Sequence, residues 1–117
     1  MRGRLCDGSD LFHTFHLEDI VPAAHPLRII KQRSVAILRT MSRRFNEAYG
    51  KTGRPSVPPE RLIKAMLLQA LFSIRSDRQL CEQIQYNMLF RWFLDMTPSE
   101  AVWTPESFST NRERFEV

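Results

Sequence analysis

The 117-residue chain is expected to fold as an all-α, compact multi-helix domain with a helix-turn-helix-like arrangement. Three observations lead there. Apolar residues recur at helical spacing along most of the chain. Helix-start residues recur before apolar stretches: Pro26, Pro59 and Pro105 suit first helical positions, and Ser76 and Thr104 suit N-caps. Apolar and polar residues alternate only in a short stretch, residues 11–17.

Residues 1–10 are small, polar and charged and are expected to be disordered or loosely attached, leaving 11–117 as the domain. Residues 11–17 read as a short extended arm. His13 and His16 lack a second Cys/His pair at ligand spacing, so with Cys6 they read as surface residues and not as a metal site. A short helical turn is expected before Pro22. Pro26 then opens a helix over 26–49, with Leu27, Ile30, Ile37, Leu38, Met41 and Phe45 on an apolar stripe and Arg28, Lys31, Arg39 and Arg43 largely off it. Gly50 is its stop.

Gly53, Pro55, Pro58 and Pro59 make an extended, rigid entry to a helix over 59–73. That helix is so apolar that it is expected to be buried nearly all round. Ser76 with Gln79 forms a capping box for a helix over 77–85, which turns Leu80, Cys81 and Ile84 inward. Residues 88–94 are strongly apolar and read as core. A turn is expected at Thr97–Glu100, and Thr104, Pro105 and Glu106 start a last helix over 105–116 that buries Phe108 and Phe115.

The composition, 43% hydrophobic and 26% charged, is that of a soluble globular protein. No apolar run reaches the roughly 18 residues that read as a membrane span, and the N-terminus has no secretory signal, so a cytoplasmic protein with reduced Cys6 and Cys81 is expected. The charge is unevenly placed. Residues 28–54 hold eight of the 17 basic residues and only one acid, Glu47. Such a field attracts a polyanion, most often nucleic acid.

At Ile74–Gln83 the chain resembles the N-terminal domain of bacterial insertion-sequence transposases of the DDE, RNase H-like class. The matching pieces are Leu17-Glu18-Asp19 with Val21–Arg28, then Thr52–Glu60, Ser73–Gln83, Asn87 with Phe90–Phe93, and Phe108–Arg114. They run in the family's order over roughly residues 11–117. The resemblance implies an α-helical domain that recognises the terminal inverted repeats of a mobile element, working in the bacterial cytoplasm at the nucleoid. In the family, three carboxylates of a following domain bind Mg²⁺ and cut and join strands. The matched pieces contain no such triad; Asp77, Asp95 and Glu106 cap or flank helices. The chain also stops at Val117 in or just after a helix. It is therefore expected to be a truncated, non-catalytic piece with no cofactor.

The leading functional expectation is binding of double-stranded DNA at the element ends. Arg39, Arg43, Arg44 and Lys51 would neutralise phosphates. Arg54 is open between a minor-groove contact and a purely structural setting. Arg75 and Arg78 would clamp phosphates, or pair with Asp77 and Glu82. The last helix would read bases with Asn111 and Arg112, with Arg114 beside them. The alternative is a protein–protein module that forms homodimers or mixed oligomers with full-length transposase. An independent enzyme is disfavoured, because no nucleophile–base pair, metal-ligand spacing or phosphate loop is present.

Overall fold

The computed structural model describes residues 3–4, 14–41, 43–44 and 57–113. Among these are six helices and no strand: α1 (Leu17–Ile20), α2 (Pro26–Thr40), α3 (Pro59–Leu71), α4 (Asp77–Tyr86), α5 (Met88–Phe93) and α6 (Pro105–Glu113). The all-α expectation holds.

The helix starts follow the cap chemistry. His25 Nδ1 accepts from Leu27 N at 3.1 Å, with Pro26 at the first position of α2. Ser76 Oγ accepts from Gln79 N, and Thr104 Oγ1 from Ser107 N, both at 3.1 Å. Asn87 Oδ1 accepts from Leu89 N and Phe90 N, so the joint residue caps α5.

Two helix ends share a less common feature. At the end of α3, Ile74 N donates to Gln69 O and Ser73 N to Ala70 O. At the end of α5, Met96 N donates to Arg91 O and Asp95 N to Trp92 O. Both are Schellman motifs, which place one residue in the left-handed region where glycine is the usual occupant. Here Ser73 (φ 54°) and Asp95 (φ 57°) occupy it.

The core is assembled around α5. Phe90, Trp92, Phe93 and Leu94 are all buried, and both α1 and α4 pack on α5. Leu62, Ala65 and Leu68 of α3, Leu80 and Ile84 of α4, and Phe108 of α6 complete it, with α6 packed on α3 and α4. Fully burying each large apolar side chain contributes about 1.5–3 kcal/mol.

Some expectations are corrected. The expected helix over 26–49 is interrupted: α2 ends at Thr40, where the Met41 N–H bonds back to Leu38 O and Arg39 O. Arg43 and Arg44 are helical again, and residues 45–49 lie outside the described residues. Ile37 is 60% exposed, because the covered line of α2 is Leu27, Lys31, Ser34 and Leu38, at i, i+4, i+7 and i+11. α3 is not buried all round. Leu71 and Phe72 are 46% and 45% exposed at its C-terminal end, since α6 is the described helix that packs most extensively on α3 and covers one flank. Phe72 still meets Phe90, ring centroids 5.1 Å apart.

Three expected helix ends move by one or two residues. Helix 59–73 ends at Leu71, 77–85 extends to Tyr86, and 88–94 ends at Phe93. The last helix is described to Glu113, so Phe115 lies outside the described residues.

The two left-handed residues separate backbone strain from side-chain role. Ser73→Gly relieves about 1–2 kcal/mol of strain against roughly 0.4–1 kcal/mol of added unfolded-state entropy, so a small rise in melting temperature is expected. Asp95→Gly relieves the same strain but leaves Lys64, 5% exposed, without its carboxylate. Its melting temperature should fall. Thermal denaturation of the two variants checks the pair, and equal shifts would remove the assigned role of Asp95.

Candidate nucleic-acid interface

The cations divide into two groups, those spent inside the fold and those facing solvent. The inner group builds the fold's polar framework. Arg91 is 3% exposed and donates to Ile84 O (2.9 Å), Thr97 O (2.6 Å) and Glu100 O (2.8 Å). Arg61 grips the same loop from α3, through the Glu100 carboxylate (2.7 Å) and Asp95 O (2.9 Å). Lys31 and Lys64 share the Asp95 carboxylate, at 2.7 and 3.0 Å. Burial opposes ionisation of Asp95, but the two lysines outweigh it and hold its carboxyl below the usual carboxylate range.

A second knot joins α1, α2 and α5. Trp92 Nε1 donates to Glu18 Oε2 at 2.6 Å, and Arg28 pairs with the same carboxylate. These two contacts, the tryptophan bond first, hold the Glu18 carboxyl low. Arg28 also donates to Val21 O (2.6 Å) and Pro22 O (2.9 Å). The Arg28 and Lys31 cations sit over the Trp92 ring, 5.2 and 4.4 Å from its centroid. So two of the basic residues counted in 28–54 serve the fold.

The third knot is Asp77. Arg112 donates to both its oxygens, at 2.7 and 2.8 Å. Ser109 Oγ (2.6 Å) and Gln69 Nε2 (3.2 Å) also donate to it. Desolvation raises the Asp77 carboxyl, and these donors more than compensate, so it stays below its ordinary value. Arg112 also lies over the Phe108 ring. This bidentate pair fastens α6 to the start of α4.

Of the expected contact residues, Arg39 and Arg44 are exposed and make no ion pair among the described residues, and Arg43 is exposed beside them. Arg39 borders a recess of about 470 Å³ lined also by Gln32, Val35, Ala36 and Trp92. Arg75 is exposed in the α3–α4 connection. The Arg78 side chain is 83% exposed and 3.7 Å from Glu82, the pairing the sequence allowed. Lys51, Arg54 and Arg114 lie outside the described residues.

The last helix differs from the expectation. Asn111 is 6% exposed, and its Nδ2 donates to Ser107 O, while its Oδ1 has no partner among the described residues. With Arg112 bound to Asp77, the exposed residues of α6 are Glu106, Ser107, Thr110 and Glu113. Among the described residues, that surface carries acidic charge and no cation.

Sequence reasoning missed two features. Arg33 is exposed on the outer face of α2, makes no ion pair among the described residues, and belongs with Arg39 and Arg44; its place in the basic run was the available signal. The solvent face of α4 was also missed apart from Arg78: Gln79, Glu82, Gln83, Gln85 and Tyr86 are exposed beside it, opposite Leu80, Cys81 and Ile84. The helical period of the apolar residues would have marked it. Cys81 itself is packing. Burial, then Asp77 and Glu106, pushes its thiol up to about 11, so it is protonated at neutral pH and a poor nucleophile. Among the described residues no cluster of His, Cys, Asp or Glu is placed to hold a metal, and no helix is long and apolar enough to cross a membrane.

Arg112→Ala should therefore cost about 2 kcal/mol of stability, from the loss of charged hydrogen bonds to a carboxylate that is only 16% exposed. The pairing also sets an acid limit. Because the folded Asp77 carboxyl lies below its unfolded value of about 3.9, its contribution is complete above that pH. It is lost as pH falls through the folded value. Asp77→Asn should lower stability at neutral pH and flatten this part of the acid dependence. Urea denaturation at several pH values reads both effects; an unchanged acid profile would remove Asp77 as its source.

Comparison with known proteins now bears on this arrangement. Residues 15–114 match a family described as Transposase domain (DUF772). No curated protein and no solved structure matches the chain. The family match takes in nearly all of the chain, including all six helices, and the chain belongs to this transposase domain family.

Proposed function

We propose that the domain binds duplex DNA at the ends of an insertion sequence during its transposition, and that it acts by binding and not by catalysis. The observation that supports this is the outer face of α2 and the helical residues beyond it. Arg33, Arg39, Arg43 and Arg44 face solvent there, with Gln32 and Thr40 between them and no acid on that face. Side chains of this kind neutralise backbone phosphates and fix a protein's register on a duplex. The family membership gives the reading its biological setting.

A salt titration of binding to duplex DNA tests it. Each phosphate neutralised contributes about −0.9 to the slope of log affinity against log salt. Arg39→Ala with Arg44→Ala should weaken binding to all sequences alike and make that slope shallower by about two. Absence of salt-dependent binding by the unaltered chain would sink the proposal.

One observation favours a second reading, self-association. Ile29 and Ile37 are 59% and 60% exposed on the same helix. In that case light scattering would give twice the monomer mass, and Ile37→Glu would restore the monomer. A monomeric mass for the unaltered chain disposes of this reading.

A further inference from the structure

Resting on the DNA-binding reading above, we propose that α4 is the base-reading element and lies in the major groove, with Gln79 and Gln83 as its central contacts. The inner face of α4, Leu80, Cys81 and Ile84, is buried against α5 and α6. Its N-terminus is pinned by the Asp77–Arg112 pair and the Ser76 cap, and its C-terminal turn by Arg91 Nε donating to Ile84 O at 2.9 Å. A reading helix needs such rigid support.

The opposite face is free along its whole length. It consists of two ridges at i, i+4, i+7 spacing: Gln79, Gln83 and Tyr86, and beside them Arg78, Glu82 and Gln85. Glutamine pairs bidentately with adenine, arginine with guanine, and glutamate accepts from cytosine. A helix about 10–12 Å across fits a major groove about 12 Å wide.

The side chains are available. Gln79 and Gln85 make no side-chain hydrogen bond among the described residues. Gln83 has one, accepting from Asn87 Nδ2 at 3.2 Å, and Arg78 has only the long contact to Glu82. Arg75, exposed just before the cap, is placed to meet a phosphate at the groove edge. The other described helices offer no comparable face. The exposed charges of α6 are acidic, α1 exposes Glu18, Asp19 and Ile20, and the exposed C-terminal end of α3 is apolar.

The test selects bound sequences from a randomised duplex library with the full chain, then repeats the selection with Gln79→Ala plus Gln83→Ala. Both residues are exposed, so circular dichroism should show the helical content unchanged. The expected result is a defined motif for the unaltered chain. The double variant should lose preference at neighbouring positions of it, by roughly tenfold per position, with affinity for unrelated duplexes retained. Arg39→Ala with Arg44→Ala should instead keep the motif and weaken all binding.

An unchanged motif in the glutamine variant overturns the proposal. So does a chain that binds every duplex equally, which leaves the DNA-binding reading intact. If the glutamine substitutions alter self-association but not the motif, α4 is a protein-docking face and the proposal is again wrong. Failure of the unaltered chain to bind any duplex removes the reading on which the proposal rests.

Discussion

A guanidinium buried to 3% must find acceptors for its N–H groups or cost the fold several kcal/mol. Arg91 finds three, all backbone carbonyls: Ile84 at the last full turn of α4, and Thr97 and Glu100 in the loop that follows α5. One side chain thus sets the distance between α4, α5 and the segment that leads to α6. Carbonyls are neutral, so the charge must be balanced from further away. The Glu100 carboxylate, held by Arg61 and by Thr97 N, contributes to that balance. The hydrophobic core fills the space that this polar frame encloses.

The same economy explains the surface. Arg28, Lys31, Arg61, Lys64, Arg91 and Arg112 are spent inside, each on carboxylates or carbonyls. Among the described residues, those that remain outside, Arg4 excepted, gather on α2, just beyond it, and around the start of α4. Four acids, Glu18, Asp77, Asp95 and Glu100, are matched to these inner cations. Two surfaces with different chemistry result. The α2 face is arginine-rich and suits uniform contact with phosphates. The α4 face mixes glutamine, arginine and glutamate and suits discrimination.

Local signals were legible in the sequence. Ser76, Thr104, Pro26, Pro59 and Pro105 begin helices where their chemistry says they should, and Glu100 N closes its turn on Thr97 O. The transposase-family resemblance was also legible, because it rests on ordered short motifs. Long-range pairing was not. Nothing local marks Arg112 as the partner of Asp77, 35 residues away, so a surface role was the natural expectation for it. Asn111 was misplaced for a related reason. A polar residue on an otherwise polar helix gives no sign that its side chain turns inward to Ser107 O. Ile37 shows the limit of periodicity: an apolar residue one step off the covered line stays in solvent.

The bond from Trp92 Nε1 to Glu18 spans 74 residues, and the one from Lys31 Nζ to Trp92 O spans 61. α1 and α2 therefore leave the ribosome long before the helix that holds them. Until α5 has emerged, neither has its tryptophan anchor, and short amphipathic helices are marginal in water. The N-terminal segment must wait for most of the chain. Closing that loop carries a slowly growing entropic cost, and the basic helix has no such anchor until α5 is made. The arginine face of this chain is thus assembled only once α5 exists to hold it.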